Sequence, residues 1–397
     1  MYDVIVAGAG PAGSTCARLC AKQGLRTLLL DKDRFPRSKT CAGAVSEQAL
    51  MYLDFPLPHW VIERECFGAR LSLGDRTMEV RKDRRVAVVV SRERFDCFLL
   101  EKTRESGAEI REEEKVLSVS QNSGSVQVET EKAAYQARYL VGADGVNSRT
   151  ALAVRPPFRR SDLTTALVRP VEEPADNGER TIDCLLEMRL GFAPMEYGGV
   201  LPRNGNTSAG NRGPVKISSR SSEMPGEFVR PIRMEAAVYL GHLIPLGGIK
   251  RRIAHKRVIL TGDAAGFADP FSGEGISYAI LSGRFAGQAI AKIVTGQKEA
   301  AAALAWYEQQ AEYWICRNLR AALSMARLVD RFPLLSARIF FDDREPLAKY
   351  LDIAAGQIDY RRFLRWMMLR GPFYFFRNSY RRAAEAQAKR YQDRGTE

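Results

Sequence analysis

The stretch YDVIVAGAGPAGSTCARLCAKQGLRTLLLDKD, residues 2–33, decides the fold because it reads as a strand, a glycine-rich turn, a helix and a second strand. The unbroken apolar run Val4–Val6 is typical of a strand that is buried on both faces of a parallel sheet. A helix is predicted from about Pro11 to Gln23, and Gly24 is the kind of residue that commonly ends one. The pattern predicts the first strand–helix–strand unit of an α/β domain.

Three glycines in the turn, Gly8, Gly10 and Gly13, have the spacing G-x-G-x-x-G. The first allows a tight turn, the second lets the backbone approach a pyrophosphate, and the third allows the helix to pack closely on the strand. Asp31 ends the second strand 18 positions after Gly13, where a carboxylate can accept the hydroxyls of a ribose. Together these features predict a dinucleotide site, without deciding between NAD and FAD.

A second segment, RVILTGDAAGFADPFSGEGISYAILSGRFAGQAI at residues 257–290, favours a flavin. Its strand delivers Asp263 to the carboxyl edge of the sheet, where a carboxylate can bind a ribitol or ribose hydroxyl. A tight loop then leads into a helix that is predicted to begin between Glu274 and Ile276 and to carry small residues on one face. A reduced flavin bears negative charge at N1 and C2=O, which the positive end of a helix would stabilise.

Two weaker segments accompany these. In VVVSRERFDCFLLEKTRESGAEI, residues 88–110, Arg92 stands at a predicted helix start and could reach a phosphate or a ring edge, although the segment alone reads as an amphipathic helix. In YLVGADGVNSRT, residues 139–150, a short strand is followed by Asp144 and Gly145, which are typical of a turn.

The segment KTCAGAVS, residues 39–46, places Cys41 beside the small residues Ala42, Gly43 and Ala44. A run of small residues indicates that something bulky comes close, so we expect this loop to lie along the cofactor and to reach its ring. Two interpretations of Cys41 stay open. Its thiol donates a proton or polarises a substrate, or it is a small residue that packs.

Taken together, these segments resemble the FAD-binding superfamily of p-hydroxybenzoate hydroxylase and, more closely, the geranylgeranyl reductase family, whose members saturate prenyl chains. CAGAVS, residues 41–46, is similar to the family's cysteine, small residues and serine, and residues 262–283 are similar to its second FAD segment. The likeness runs from Met1 to about residue 295. It implies that FAD binds at Gly8, Gly10, Gly13, Asp31, Arg92, Asp144, Gly262, Asp263, Gly273, Gly275 and Ile276.

One departure from the family concerns EYGGVLPRNGNTSAG, residues 196–210, where a Tyr-x-Trp-x-Phe-Pro motif is usual. Tyr197 and Pro202 are present, but Gly199 replaces the Trp and Leu201 the Phe, so an aromatic wall of the cavity is missing. The Trp-x-Trp-x-Ile-Pro motif of halogenases is absent from the sequence. The resemblance makes Cys41 the first candidate catalytic residue and Tyr197 the next.

The predicted fold class is α/β, with a Rossmann-type FAD-binding domain, an inserted antiparallel β-sheet substrate domain and a C-terminal helical region. The boundaries are residues 1–55, 86–160 and 250–298 for the FAD-binding domain, 56–85 and 161–249 for the substrate domain, and 299–397 for the helical region.

In the helical region, Leu304, Tyr307, Ala311 and Trp314 are spaced as a core stripe. The last segment, residues 360–392, mixes aromatic and basic residues. It is interpreted either as a helix that lies on an anionic bilayer or as one that packs on the protein with a solvated basic face.

The formal net charge of +13 over 397 residues suggests an acidic partner, or it belongs to a solvated surface that is rich in arginine. No nucleic-acid-binding motif is found, so nucleic acid is not expected, and anionic lipid or an acidic electron carrier remains. The seven cysteines are scattered and there are only three histidines, so no metal site is expected. No targeting segment is recognised, and the expected location is cytoplasmic, with possible peripheral contact at the inner face of the membrane.

The first functional hypothesis is an FAD-dependent reductase of a prenyl C=C bond on a lipid or related isoprenoid. No second dinucleotide unit is recognised, so electrons would come from visiting NAD(P)H or from reduced ferredoxin. The alternative is an FAD-dependent monooxygenase of the same superfamily.

Overall fold

A computed structural model of the chain describes residues 1–172, 185–190, 197–202, 206–214 and 240–371. The strands, in chain order, are β1 (Tyr2–Ala7), β2 (Thr27–Leu30), β3 (Ala44–Ser46), β4 (Ile62–Cys66), β5 (Gly68–Leu73), β6 (Arg76–Arg81), β7 (Ala87–Val90), β8 (Glu109–Arg111), β9 (Val116–Gln121), β10 (Val126–Thr130), β11 (Ala134–Gly142), β12 (Leu163–Glu172), β13 (Leu185–Leu190), β14 (Tyr197–Pro202), β15 (Asn206–Pro214), β16 (Leu240–Pro245), β17 (Ala254–His255) and β18 (Val258–Leu260).

The helices are α1 (Pro11–Lys22), α2 (Glu47–Met51), α3 (Arg92–Glu105), α4 (Gly262–Ala265), α5 (Ile276–Val294), α6 (Ala300–Gln310), α7 (Arg317–Arg331), α8 (Pro333–Asp342) and α9 (Arg344–Ala354). Short 3₁₀ turns lie at Thr150–Ala153 and Arg160–Asp162, and a π-helical turn at Ala311–Cys316 joins α6 to α7. A further helix begins at residue 360 and is described to residue 371.

A largely parallel sheet forms the centre of the fold. Its order is β17-β18-β11-β1-β2-β8, and β11 also carries the antiparallel hairpin β9–β10. The five strands from β18 to β8 run parallel to their neighbours. Val4–Val6, Leu28–Leu30 and Val258–Leu260 are fully or almost fully buried, as their unbroken apolar runs require. The prediction of a parallel sheet in an α/β fold is confirmed.

Helix α5 packs on α1 through glycines, which confirms the predicted face of small residues. A Cβ atom added at Gly283 would lie 2.3 Å from the carbonyl oxygen of Ala12. At Gly287 the nearest atom to an added Cβ would be the Leu19 Cβ, at 3.1 Å. The two helix backbones therefore come into direct contact at Gly283 and leave slightly more room one turn later.

A second sheet has the order β16-β12-β15-β14-β13-β5-β6 within the described residues. Its neighbours are antiparallel, as predicted for the inserted sheet, except that β13 runs parallel to β5. These two strands come from separate parts of the chain, so no hairpin obliges them to be antiparallel. A small third sheet, β3-β7-β4, joins the segment that follows Cys41 to the strand before α3.

The core stripe predicted in the helical region is correct at three of its four positions. Tyr307 and Ala311 are fully buried and Leu304 packs against the same core, but Trp314 is 55% exposed and Ile315 takes the buried place. The cause is the π-helical turn, whose wider winding moves the inward-facing position one residue along the chain.

The interpretation of residues 360–392 falls partly outside the described residues, which end at 371. No helix in the part of the chain that the structure describes combines the length and the hydropathy needed to cross a bilayer.

The contact between α1 and α5 gives a test of the fold. Gly283→Ala should lower the free energy of unfolding by about 1–3 kcal/mol because its methyl group would overlap the Ala12 carbonyl oxygen. Gly287→Ala is the matched control. Its stability should change little, because the higher helix propensity of alanine offsets the milder contact with the Leu19 Cβ. Chemical unfolding of both variants measures the difference, and equal stabilities would contradict the close contact.

Candidate functional site

A cavity of about 1150 Å³ lies at the carboxyl ends of the parallel strands. This edge of an open α/β sheet is where such folds bind ligands. The wall comes from the glycine turn, the loop that contains Cys41, the turn after β11, the segment before α5, the second sheet and the C-terminal helices. The cavity therefore brings together parts of the chain that are far apart in sequence.

The glycine turn forms one end of this cavity, and its three glycines differ in their surroundings. Gly8 has φ +99°, and a Cβ there would lie 2.3 Å from the Ala143 carbonyl oxygen. A Cβ at Gly13 would lie 1.8 Å from the Gly8 carbonyl oxygen, so α1 packs directly on the turn, and Gly13 does not line the cavity. Gly10 is open, with the Arg37 Nη2 as the nearest atom to an added Cβ, at 3.9 Å.

Asp31 lines the cavity beside this turn and also holds the turn in place. Its Oδ2 accepts a 2.6 Å hydrogen bond from the Ala9 N–H, and its Oδ1 accepts one of 2.9 Å from the Asp33 N–H. Burial raises the pKa of Asp31, although the two backbone donors act in the opposite direction. The carboxylate thus ties the end of β2 to the glycine turn.

Arg92 belongs to a buried network of charges that the sequence did not reveal. Its Nε and Nη2 donate to the two carboxylate oxygens of Asp96, at 2.8 and 2.7 Å. Burial opposes the charge of Arg92, but the Asp96 carboxylate outweighs burial and raises its pKa. Arg37 also contacts Asp96, with 3.1 Å between Nη2 and Oδ2.

Arg37 has spare hydrogen-bonding capacity at the cavity wall. Its side chain is only 12% exposed, and its Nε and Nη1 donate no hydrogen bond within the described residues, although Nε lies 3.7 Å from Asp33 Oδ2. The sequence offered only a weak signal for it, a basic residue shortly after the second strand. Buried donors of this kind favour an anionic ligand.

Two different constraints explain the small side chains in the loop that contains Cys41. Gly43 has φ +90°, and a Cβ there would lie 2.3 Å from the Val90 carbonyl oxygen, so the backbone of β7 excludes a side chain. Ala42 and Ala44 line the cavity. Cys41 also lines it, is half-buried, and accepts a 3.4 Å hydrogen bond from the Gly43 N–H at Sγ.

Three polar side chains from three separate segments meet in the cavity. Lys39 Nζ lies 3.1 Å from His242 Nε2, on β16, and that nitrogen lies 3.9 Å from Asp263 Oδ2. Burial lowers the pKa of Lys39, and the Asp263 carboxylate partly opposes this. Sequence reasoning identified Asp263 but missed Lys39 and His242, because their contact joins a loop to a strand 203 positions away along the chain.

Asp144 lines the cavity, but its oxygens are engaged within its own turn. Oδ1 accepts from the hydroxyls of Ser148 and Thr150, at 2.5 and 2.6 Å, and Oδ2 accepts from the N–H groups of Arg149 and Thr150, at 2.8 and 3.1 Å. Gly145 follows with φ +80°, as predicted for this turn.

The segment before α5 completes the wall of the cavity. Gly262 and Gly273 have φ of +53° and +75°, and α5 begins at Ile276, within the predicted range. The Cβ of a residue replacing Gly275 would lie 3.4 Å from Asp263 Oδ1. Gly262, Asp263, Gly273, Gly275 and Ile276 all line the cavity, as do Asp269 and Glu274, which sequence reasoning missed.

Tyr197 is the second candidate catalytic residue. It begins β14, opposite Leu190 and Arg212, and its side chain lies outside the described residues. Among the described residues, no histidine, cysteine, aspartate and glutamate side chains are grouped as metal ligands.

Comparison with known proteins identifies a family of flavoproteins. The model of a family described as an FAD binding domain matches residues 1–208. A geranylgeranyl diphosphate reductase of Rhodobacter capsulatus is 31% identical over 315 residues, which are 75% of this chain and 77% of that protein. A digeranylgeranylglycerophospholipid reductase of Methanocella arvoryzae is 28% identical over 335 residues, 80% of this chain and 84% of that protein.

Solved structures share the fold. A geranylgeranyl bacteriochlorophyll reductase-like protein of Thermoplasma acidophilum superposes with a TM-score of 0.77 at 22% identity, covering 94% of this chain and 97% of that chain. The flavin-dependent brominase Bmp2 superposes with a TM-score of 0.69 at 18% identity, covering 94% and 99%.

The open space at Gly10 allows a test of the glycine turn. Gly10→Val should leave the stability of the protein unchanged, because the φ of Gly10 is −72° and no atom crowds the position. The same substitution should weaken FAD binding by about tenfold or more, roughly 1.4 kcal/mol, because the new side chain would occupy the open space beside the turn. Flavin absorbance after gel filtration measures the retained cofactor. Gly124→Val, in an open turn outside the cavity, is the control, and full retention by Gly10→Val would contradict the assignment.

Proposed function

Because this chain belongs to the geranylgeranyl reductase family of FAD-dependent oxidoreductases, we propose that it reduces carbon–carbon double bonds of a prenyl chain on a lipid or related isoprenoid. The observation that carries the proposal is one cavity that contains both the glycine turn and an apolar wall from the second sheet and the C-terminal helices. Its volume, about 1150 Å³, exceeds the roughly 300–1,000 Å³ of an ordinary small-molecule site. A flavin and a chain-like substrate would share it.

The residues around the glycine turn fit FAD. Gly10 leaves room for a pyrophosphate, and the unengaged Nε and Nη1 of Arg37 would hold its negative charge. When bound and reduced, FAD supplies a hydride. We assign its binding to Gly8, Gly10, Gly13, Asp31, Arg92, Asp144, Gly262, Asp263, Gly273, Gly275 and Ile276, with Arg37 added. Asp144 and Gly13 act by shaping the turns that the cofactor contacts.

The far wall would receive the prenyl chain. It is contributed by apolar side chains of β13, β16 and α9, namely Leu186, Met188, Ile244, Leu351, Ile353 and Ala354. Such a wall would exclude water from an isolated alkene, which is a poor hydride acceptor, while hydride and proton are delivered.

Cys41 and Tyr197 are the catalytic candidates that the family resemblance provides. The Sγ of Cys41 lies at the cavity wall, beside Arg92 and the Gly43 N–H. We propose that this sulfur contacts the reacting part of the prenyl chain. Tyr197 stays a candidate only because of its position at the start of β14.

Electrons would reach the flavin from NAD(P)H or from reduced ferredoxin. The net charge of +13 favours an acidic protein donor through long-range attraction, which would weaken as salt is added.

The proposed activity is tested by mixing the reduced, FAD-loaded protein with a geranylgeranyl substrate under anaerobic conditions. We expect flavin reoxidation in step with prenyl saturation, and about tenfold slower reoxidation in Cys41→Ala, roughly 1.4 kcal/mol in the barrier. Absorbance and mass spectrometry follow the two events. Substrate turnover that requires oxygen and inserts an oxygen atom would replace the reductase with the alternative monooxygenase.

We also propose peripheral contact with an anionic membrane, at the inner face of the cell membrane for a cytoplasmic protein. The elbow between α7 and α8 exposes Leu328, Phe332 and Leu335, at 53%, 47% and 39%, next to the exposed Arg327 and Arg331. Apolar side chains flanked by arginines suit insertion between anionic head groups.

The membrane proposal predicts that the protein pellets with anionic vesicles and that pelleting falls as salt rises. Phe332→Ser should reduce pelleting, because it removes the largest inserting side chain. Leu117→Ser, at an equally exposed position in β9, is the control. Equal pelleting with neutral vesicles, or equal losses in both variants, would contradict the proposal.

A further inference from the structure

Glu274 is a carboxyl group at the cavity wall that neither the glycine turn nor the Arg92 network uses. It stands two residues before α5, is half-buried, and lines the cavity. Its Oε1 accepts a 2.5 Å hydrogen bond from the hydroxyl of Ser46, a residue 6% exposed at the start of α2. A ligand in the cavity would complete the burial of this carboxyl group.

No positive charge faces Glu274 within the part of the chain that is described. The titratable groups that interact with it are Asp269 on the loop before α5, Tyr52 just after α2 and Tyr278 on α5. Arg284 is directed elsewhere, since its Nη1 donates to the Tyr52 carbonyl oxygen at 2.7 Å. Glu274 forms no ion pair in the described residues, unlike Asp96.

These surroundings favour the neutral acid. Burial raises the pKa of Glu274 to about 7, and the Asp269 carboxylate acts in the same direction, while the hydrogen bond from Ser46 acts against it. The acid form is thus present below about pH 7 and is lost as the pH rises through that value.

We propose that Glu274 is the acid that protonates the substrate during prenyl reduction, a role that rests on the proposed function. One alkene carbon accepts a hydride, with its electron pair, that reduced FAD would supply as it is oxidised, and this carbon forms a C–H bond as the π bond opens. The other carbon takes the proton from the Glu274 Oε–H bond, whose electron pair stays on the carboxylate. The carboxylate regains a proton from water after the product leaves.

The structure distinguishes this role from that of Cys41. The Gly43 N–H donates to the Cys41 Sγ, and Arg92 lies beside the same sulfur. The sulfur therefore acts as a hydrogen-bond acceptor in these contacts. Glu274 instead meets a hydroxyl group, which can exchange a proton. Ser46 is a positioning residue in this scheme, because it holds the carboxyl group and also caps α2 by accepting from the Ala49 N–H at 3.2 Å.

The first test needs no turnover. Infrared difference spectra of the FAD-loaded protein between about pH 6 and about pH 9, where ordinary carboxyl groups stay ionised, should contain a protonated carboxyl band from Glu274, whose pKa is about 7. Glu274→Gln should lack this band, and Glu129→Gln, at an exposed position on β10, should keep it. A band that survives in Glu274→Gln, or is absent from the wild type, would overturn the proposal.

The second test is the pH profile of single-turnover reduction. The wild-type rate should fall as the pH rises through about 7, and Glu274→Gln should be about 100-fold slower and lose this dependence while it keeps its FAD. Cys41→Ala should be slower with the profile retained. If Glu274→Gln reduces the substrate at the wild-type rate, the role of Glu274 is overturned and the proposed function still stands. If the wild type binds FAD but reduces no prenyl substrate, the proposed function itself is overturned.

Discussion

The close contact between Gly13 and the Gly8 carbonyl oxygen is the constraint on which the rest of the site depends. It presses the first turn of α1 against the glycine turn, and the Gly8 turn is in turn pressed against Ala143 at the end of β11. Asp31 then fastens the same turn to the end of β2 through the Ala9 N–H. Three parallel strands and one helix are thereby fixed around a single point, and the cavity opens from it.

The parts of this arrangement that could be predicted from the sequence are those that depend on residues close together along the chain. The glycine spacing, the end of α1 and the start of α5 are all found where the pattern places them, and Gly8 and Gly24 adopt the positive φ that favours glycine. Trp314 shows the limit of such reading. A regular helix would bury it, but a π-helical turn shifts the buried position to Ile315. Nothing in the local sequence marks that turn.

The polar interior of the cavity could not be read from the sequence because its pairs are distant along the chain. Lys39 meets His242, and Ser46 meets Glu274, across interfaces that exist only when the sheets are assembled. Arg92 was recognised as basic, but its partner Asp96 and the neighbouring Arg37 decide what it can still bind. The same separation gives the cavity regions of opposite character, with paired charges near the glycine turn and an unpaired carboxyl group near α5.

The contact between α1 and α5 also has a consequence for the order in which the chain is made. Helix α1 emerges from the ribosome long before Gly283, so the groove that receives α5 stays uncovered while the intervening residues are synthesised. Cys16 and Cys20, fully buried in the finished molecule, face solvent and oxidants during that interval. Both belong to the same face of α1 that Gly287 later covers. The two thiols are therefore covered only after the residues that form α5 have been made.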